Sequence, residues 1–181
     1  QLAEGISPRL AKAALGAIVN GAGWDITRAL PGDCTLQILT WNDAAGREIY
    51  RHSSTHLMAQ AVQAVYPDAK LTVGPPLEDR FYYDIDMAPI SEADFQKIED
   101  KMREFAKANL PIEREEISRE DARELFANDE YKSELLKDIP EGETISIYRQ
   151  GDWFDLCRGP HVPATGVLKA FKLLSVAGAY W

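Results

Sequence analysis

Between residues 49 and 66 the apolar side chains recur at helical spacing, with Leu57, Met58, Ala61 and Val65 on one face and Pro67 as the stop. That predicts one long helix, and the segments around it decide the fold class. Ser91-x-x-Asp94 reads as a capping box opening a second long helix with Phe95, Ile98, Met102 and Phe105 turned inward. Ser118-x-x-Asp121 opens a shorter one. Strands are expected at 71–73 and 81–85 around a Gly74-Pro75-Pro76 turn, and again at 145–148, 153–157 and 167–174. Residues 45–181 therefore read as an α+β domain with an antiparallel sheet.

The first 44 residues are different. Ser7 followed by Pro8 caps a helix over 7–15. Short apolar stretches at 17–21 and 35–40 are strand candidates, separated by a Pro31-Gly32-Asp33 turn. So little chain is not expected to secure a core of its own. It reads as the end of a small α+β unit whose first strands are absent, which is a fragment signature. The junction falls in the NDAAG segment, residues 42–46.

Composition removes several classes of function. Apolar residues make up 45% of the chain and charged residues 27%, the ordinary globular range. No run suits a membrane span and no signal peptide is visible, so a cytoplasmic protein without a membrane partner is expected. The two cysteines, Cys34 and Cys157, lie in dissimilar surroundings and read as free thiols. Cys34 has the look of a small core residue. A net charge of −9 argues against a general nucleic-acid binder. It leaves room for a module that handles only a nucleic acid's end.

All three histidines fall in two short motifs. His52-Ser53-Ser54-Thr55-His56 sets two imidazoles at i and i+4, on one face of the first long helix. Cys157-Arg158-Gly159-Pro160-His161 sets a thiol and an imidazole around a turn after a strand, with His161 expected at a loop mouth. The set matches the donors of a tetrahedral zinc site. It also matches neutral imidazoles able to orient or deprotonate a water. A structural zinc knuckle and plain core histidines stand beside these readings.

HSSTHLMAQAV, GPPLEDRFYYDID, DLCRGPHV and the closing FKLLSVAGAYW, in that order, resemble the editing domain of bacterial threonyl-tRNA synthetases. Residues 10–40 resemble the end of the ubiquitin-like (β-grasp) TGS domain that precedes it in that family. The resemblance implies a partial TGS domain over 1–44 and an editing domain over 45–181, with a His/Cys cleft. The same motif pair occurs in alanyl-tRNA synthetase editing domains, where it binds zinc. FYYD and the TGS-like unit favour the threonyl branch. Arg80 departs from the family, which usually has glycine before Phe81.

The activity implied is hydrolysis of mischarged seryl-tRNA(Thr), with the parent enzyme ligating threonine to tRNA(Thr) using ATP. No synthetic motifs are recognisable, and ATP and zinc belong to the missing synthetic domain. The implied partners are the seryl-bearing acceptor end of tRNA(Thr) and the parent's catalytic and anticodon-binding domains, in a homodimeric parent. No cofactor is expected for editing; zinc on His52, His56, Cys157 and His161 is the alternative.

The implied pocket comprises His52, His56, Cys157 and His161 with Lys132 and Asp155 beside them. His52 would position or deprotonate water, Lys132 would hold the water or terminal ribose, and Asp155 would grip the substrate's ammonium. Replacing His52 or Lys132 by alanine is expected to abolish the reaction without unfolding the chain. Tyr82 or Tyr83 would exclude threonine's methyl, with strand alternation admitting only one and Tyr83 preferred. The rivals are a free-standing zinc-dependent alanyl-type deacylase and a non-catalytic tRNA-docking module.

Overall fold

The computed structural model describes residues 2–75 and 77–178. Pro76 of the expected turn and the last three residues of the closing motif lie outside them. The order begins with two short helices, α1 (Leu2–Ile6) and α2 (Pro8–Ala13), then strands β1 (Gly16–Val19), β2 (Ala22–Trp24) and β3 (Leu36–Leu39). Ser7 caps α2 by accepting from the Arg9 and Leu10 amides, with Pro8 at its start. The antiparallel sheet has order β2-β1-β3. β2 was not expected from the sequence, although Asn20-Gly21 signals a tight hairpin. Both residues take positive φ, 50° and 83°, the conformation that such a turn requires.

Helix α3 (Ala44–Val65) is the longest element and buries most of one side. Strands β4 (Lys70–Leu71) and β5 (Ile85–Asp86) follow it. They are shorter than the sequence suggests, yet Thr72 N–H to Asp84 O and Asp84 N–H to Val73 O extend the pairing. Arg80 is exposed, and its carbonyl accepts from the Leu77 amide to close the connecting turn. It is not among the described residues with positive φ, so the turn does not need glycine there. The capping box at Ser91 and Asp94 is formed and leads into α4 (Phe95–Ala108).

The second three-stranded sheet is antiparallel, in the order β6 (Ile112–Ile117), β7 (Ile145–Gln150), β8 (Trp153–Leu156). Helices α5 (Arg119–Leu125) and α6 (Glu130–Asp138) connect β6 to β7. The mixed α+β, antiparallel class agrees with the sequence reading. The expected strand at 167–174 is absent. Residues 165–167 form a 3-10 turn, and the segment beyond it is held by side chains of the helices. Ala170 exchanges two hydrogen bonds with the Tyr50 hydroxyl, and the Leu173 amide bonds to the buried Glu99 carboxylate. Those backbone groups are satisfied without a ladder.

Leu15 and Leu39 of the small N-terminal unit share one core with Leu57 and Ala61 of α3, Ile98 and Met102 of α4, and Tyr148 of β7. Gly23 of β2 lies against the Pro160 ring. The small sheet thus rests on the turn that follows β8, where the second histidine motif lies.

Candidate functional site

Helix α3 delivers His52 and His56 from successive turns, and the turn after β8 delivers Cys157 and His161. Their four candidate ligand atoms all lie within 4.8 Å of one another. Cys157 Sγ stands 3.3 Å from Nε2 of His52 and 3.3 Å from Nε2 of His161. The three imidazoles pack ring to ring, the His52 and His161 centroids 4.3 Å apart and the His56 and His161 centroids 4.4 Å apart. His161 is 1% exposed and His56 4%, so His161 sits in the floor of the cluster, not at a loop mouth. His52 and Cys157 are the members that retain partial exposure.

The turn itself is built by close approach. Gly159 has φ +73°, and a Cβ there would run into the Tyr148 hydroxyl. Its amide instead donates to Cys157 Sγ at 3.3 Å. Ser53, between the two helical histidines, gives its proton to the Ile49 carbonyl at 2.8 Å. Its oxygen accepts from the Val162 amide at 3.0 Å and lies 3.0 Å from His161 Nδ1. With the serine proton already used, the His161 Nδ1 carries the hydrogen of that pair. Its Nε2 is then bare and faces the thiol.

Burial holds all three imidazoles below the ordinary histidine range; for His52 the Pro160 carbonyl and the Asp155 and Asp25 charges oppose it in part. Burial also pushes the Cys157 thiol up to about 12, against the Gly159 amide. Without a metal the sulfur therefore carries its proton at neutral pH and is no thiolate nucleophile.

Lys132 and Asp155 lie beside the cluster, but paired with each other. Lys132 Nζ is 2.7 Å from Asp155 Oδ1, the side chains being 3% and 2% exposed. The same Nζ donates to the Thr72 carbonyl at 2.9 Å and to the Tyr83 hydroxyl at 3.0 Å. Tyr83 in turn donates to Asp155 Oδ2 at 2.6 Å. These contacts use all three ammonium protons and both carboxylate oxygens. The grip expected of Lys132 on water or ribose has no ammonium proton left in this arrangement, while Asp155, whose Oδ1 also accepts the Leu156 amide at 2.8 Å, keeps acceptor capacity on Oδ2. Its own burial, and then the charge of the Asp155 carboxylate, push the Tyr83 hydroxyl upward, so it stays a donor. Tyr82 points outward, 38% exposed.

The sequence reading did not expect α6, which carries Lys132. Asp129 caps it by accepting from the Lys132 amide at 2.9 Å. It also missed Ser53, Tyr148 and Asp25. Ser53 lay in plain view inside the histidine motif, whereas Asp25 reaches the site only through tertiary structure.

The donor set fits a metal. Four nitrogen and sulfur donors converge, the His161 tautomer leaves Nε2 bare towards them, and His56 Nδ1 is buried without a hydrogen-bond partner.

Two family models match the chain: the TGS domain over residues 1–40, and the threonyl and alanyl tRNA synthetase second additional domain over residues 145–179. The curated relatives it resembles include the threonine–tRNA ligases of Symbiobacterium thermophilum, 56% identical over 179 residues, and of Acetivibrio thermocellus, 51% identical over 184 residues. That of Rubrobacter xylanophilus is 53% identical over 181 residues. These alignments cover 97%, 100% and 99% of the chain but only 28%, 29% and 28% of the relatives. The chain thus spans less than a third of their length. Among its described residues no helix is long and apolar enough to cross a membrane.

Two outcomes follow from the burial. Lys132→Ala leaves the Asp155 carboxylate buried without its counter-ion and should destabilise the fold by about 3–5 kcal/mol. The sequence reading, which allowed this change without unfolding, overlooked that cost. Lys132→Met with Asp155→Asn should lose much less, and equal urea midpoints for the two variants would refute the account. The second concerns acid. The unfolded chain takes up protons near pH 6.5 that the buried imidazoles refuse. Stability is then complete above about pH 6.5 and falls below it, by up to about 1.4 kcal/mol per pH unit for each histidine. Urea midpoints of metal-free protein should drop between about pH 7.5 and 5.5, and a flat profile would exclude neutral buried histidines.

Proposed function

The chain belongs to the threonyl-tRNA synthetases as their N-terminal region, and on that premise we propose that it hydrolyses mischarged seryl-tRNA. The observation that carries this reading is the convergence of His52, His56, Cys157 and His161 within 4.8 Å, with His52 and Cys157 partly open to solvent. The chemistry has a clear need. Serine lacks only threonine's methyl, and a binding pocket turns one methylene into about 1–3 kcal/mol of discrimination. A second site that removes the wrong ester makes up the difference.

An aminoacyl ester is already activated, so the site has to deliver a water and stabilise an oxyanion. His52 is the base in this proposal, since it is neutral and the most accessible imidazole. Cys157, held as a thiol, and His161 hold the His52 ring in place. His56 completes the cluster beneath them. Lys132 and Asp155 act as a preformed pair that fixes the Tyr83 hydroxyl and lends the pocket its local field. Tyr83 forms the wall against threonine's methyl, and Tyr82 borders the entrance. The small domain spans 1–44 and the editing domain 45–181. The partners are the acceptor end of tRNA(Thr) and the remaining domains of a homodimeric, cytoplasmic parent, which ligates threonine with ATP.

The fit of the donor set supports a second reading. In it His52, His56, Cys157 and His161 hold zinc, which when bound supplies Lewis acidity and an acidified water. This is the alanyl-type alternative.

Seryl- and threonyl-tRNA(Thr) incubated with the chain should part company, the seryl ester being lost faster. His52→Ala should slow that loss by about 10²–10⁴-fold while the melting temperature stays within the range of a surface substitution. A folded His52→Ala protein of full activity would remove His52 from this role. A strong chelator should leave turnover unchanged; loss that zinc restores would transfer the assignment to the metal reading. No ester loss at all, with folding that depends on metal, would leave a docking module.

A further inference from the structure

One residue that touches the cluster comes from neither motif. Asp25 directly follows β2, in the stretch matched by the TGS model, and is 6% exposed. Its Oδ1 accepts the His161 backbone N–H at 2.8 Å. Its Oδ2 accepts the Tyr148 hydroxyl at 2.8 Å. The Tyr148 ring stands against the His161 imidazole, centroids 4.4 Å apart. A single carboxylate thus holds both the backbone from which the imidazole hangs and an aromatic wall against which it rests.

The residue type is informative. Burying a carboxylate is unfavourable unless strong partners compensate, and a cation would be the usual one. The arginines that line the groove beside Asp25, Arg28 and Arg114, are both engaged by Glu116 instead. What Asp25 offers is two acceptor oxygens side by side, facing two donors. An asparagine presents one acceptor and one donor, so it satisfies one of them and opposes the other. The geometry asks for a carboxylate, and the fold takes it from the small N-terminal unit, 136 residues away from His161 in sequence.

We propose that Asp25 is the positioning residue for His161, so that the small domain completes the hydrolytic site. Asp25 touches no reacting atom. It acts through the imidazole, aiming the bare Nε2 at Cys157 and so fixing the ring of His52 beyond it. The catalytic consequence rests on the hydrolytic reading above; the positioning of the imidazole does not.

The test uses the full chain and separates the two. Asp25→Ala should lower kcat for seryl-tRNA by about tenfold to a hundredfold with KM nearly unchanged, since a misaimed group costs rate more than binding. Asp25→Asn should recover part of the loss. Asp33→Ala, an exposed change in the same unit, should match the wild type. In ¹⁵N spectra of histidine side chains, Asp25→Ala should displace the His161 ring signals while a folded melting transition persists. If Asp25→Ala does not fold, Tyr148→Phe, which removes one of the two links, should give a smaller displacement and a partial loss of kcat. Retained turnover in a folded Asp25→Ala protein, or an unmoved His161 signal, overturns the proposal. A wild type inactive on every aminoacyl ester overturns the functional reading instead, and the His161 signal alone then decides for or against Asp25.

Discussion

A single hydroxyl, that of Ser53, joins the helix bearing two of the histidines to the turn bearing the third. Its proton is directed back to Ile49 within α3, so the oxygen meets the turn only as an acceptor, from Val162 N–H and from His161 Nδ1. That division of roles settles two things together. It pins the backbone just after His161, and it chooses the tautomer that leaves Nε2 towards Cys157. Successive helical residues are about 100° apart, so a one-residue slip of α3 would carry Ser53 away and swing His52 and His56 off the same axis. The register of the helix and the chemistry of the cluster are one constraint.

The second constraint is dryness. His161 lies among Tyr148 and Val162, both part of the main core. A charge there is unfavourable, and the site accordingly keeps its imidazoles and thiol neutral. The ammonium beside it, on Lys132, comes with its counter-ion at 2.7 Å and a tyrosine bridging both. Such a pair contributes little net stability once its desolvation is counted. What it gives is direction: the Tyr83 hydroxyl is held between two fixed groups and has no freedom to turn.

Much of this could be read before any coordinates, and the failures have physical causes. The long helix and its paired imidazoles followed from periodicity, and the caps at Ser7, Ser91 and Ser118 from local hydrogen bonding, because both signals are carried by neighbours in sequence. Strands β7 and β8 are apolar enough to declare themselves. β6 is not: its sequence IEREEI is mostly charged, and it exists because β7 offers it a full ladder. Helix α6 is short, and its aspartate cap is followed three residues on by Lys132 and not by the Glu or Gln of a capping box, so no helix was expected around Lys132. The run at 167–174 shows the opposite error. Its apolar content suggested a strand, but Tyr50 and Glu99 satisfy its amides from the side. The four ligand-type residues of the cluster were legible because their element types are few and clustered. The pairing of Lys132 with Asp155, and the reach of Asp25, were not, because no local pattern encodes a contact across the fold.

The N-terminal unit is therefore more than a neighbour of the cluster. Leu15 and Leu39 complete the core under α3, Gly23 supports Pro160, and Asp25 bonds to the backbone of His161. A site that must tell serine from threonine gains only about 1–3 kcal/mol from the presence or absence of a methyl, and slack of a fraction of an ångström in its wall would erase part of that. Loops alone hold side chains less tightly than packed elements do. Here the turn that carries Cys157 and His161 is clamped from two sides, by Ser53 of α3 and by Asp25 of the small sheet. On the hydrolytic reading, the small sheet's contribution to discrimination is rigidity: it removes the freedom that a turn after a strand would otherwise have.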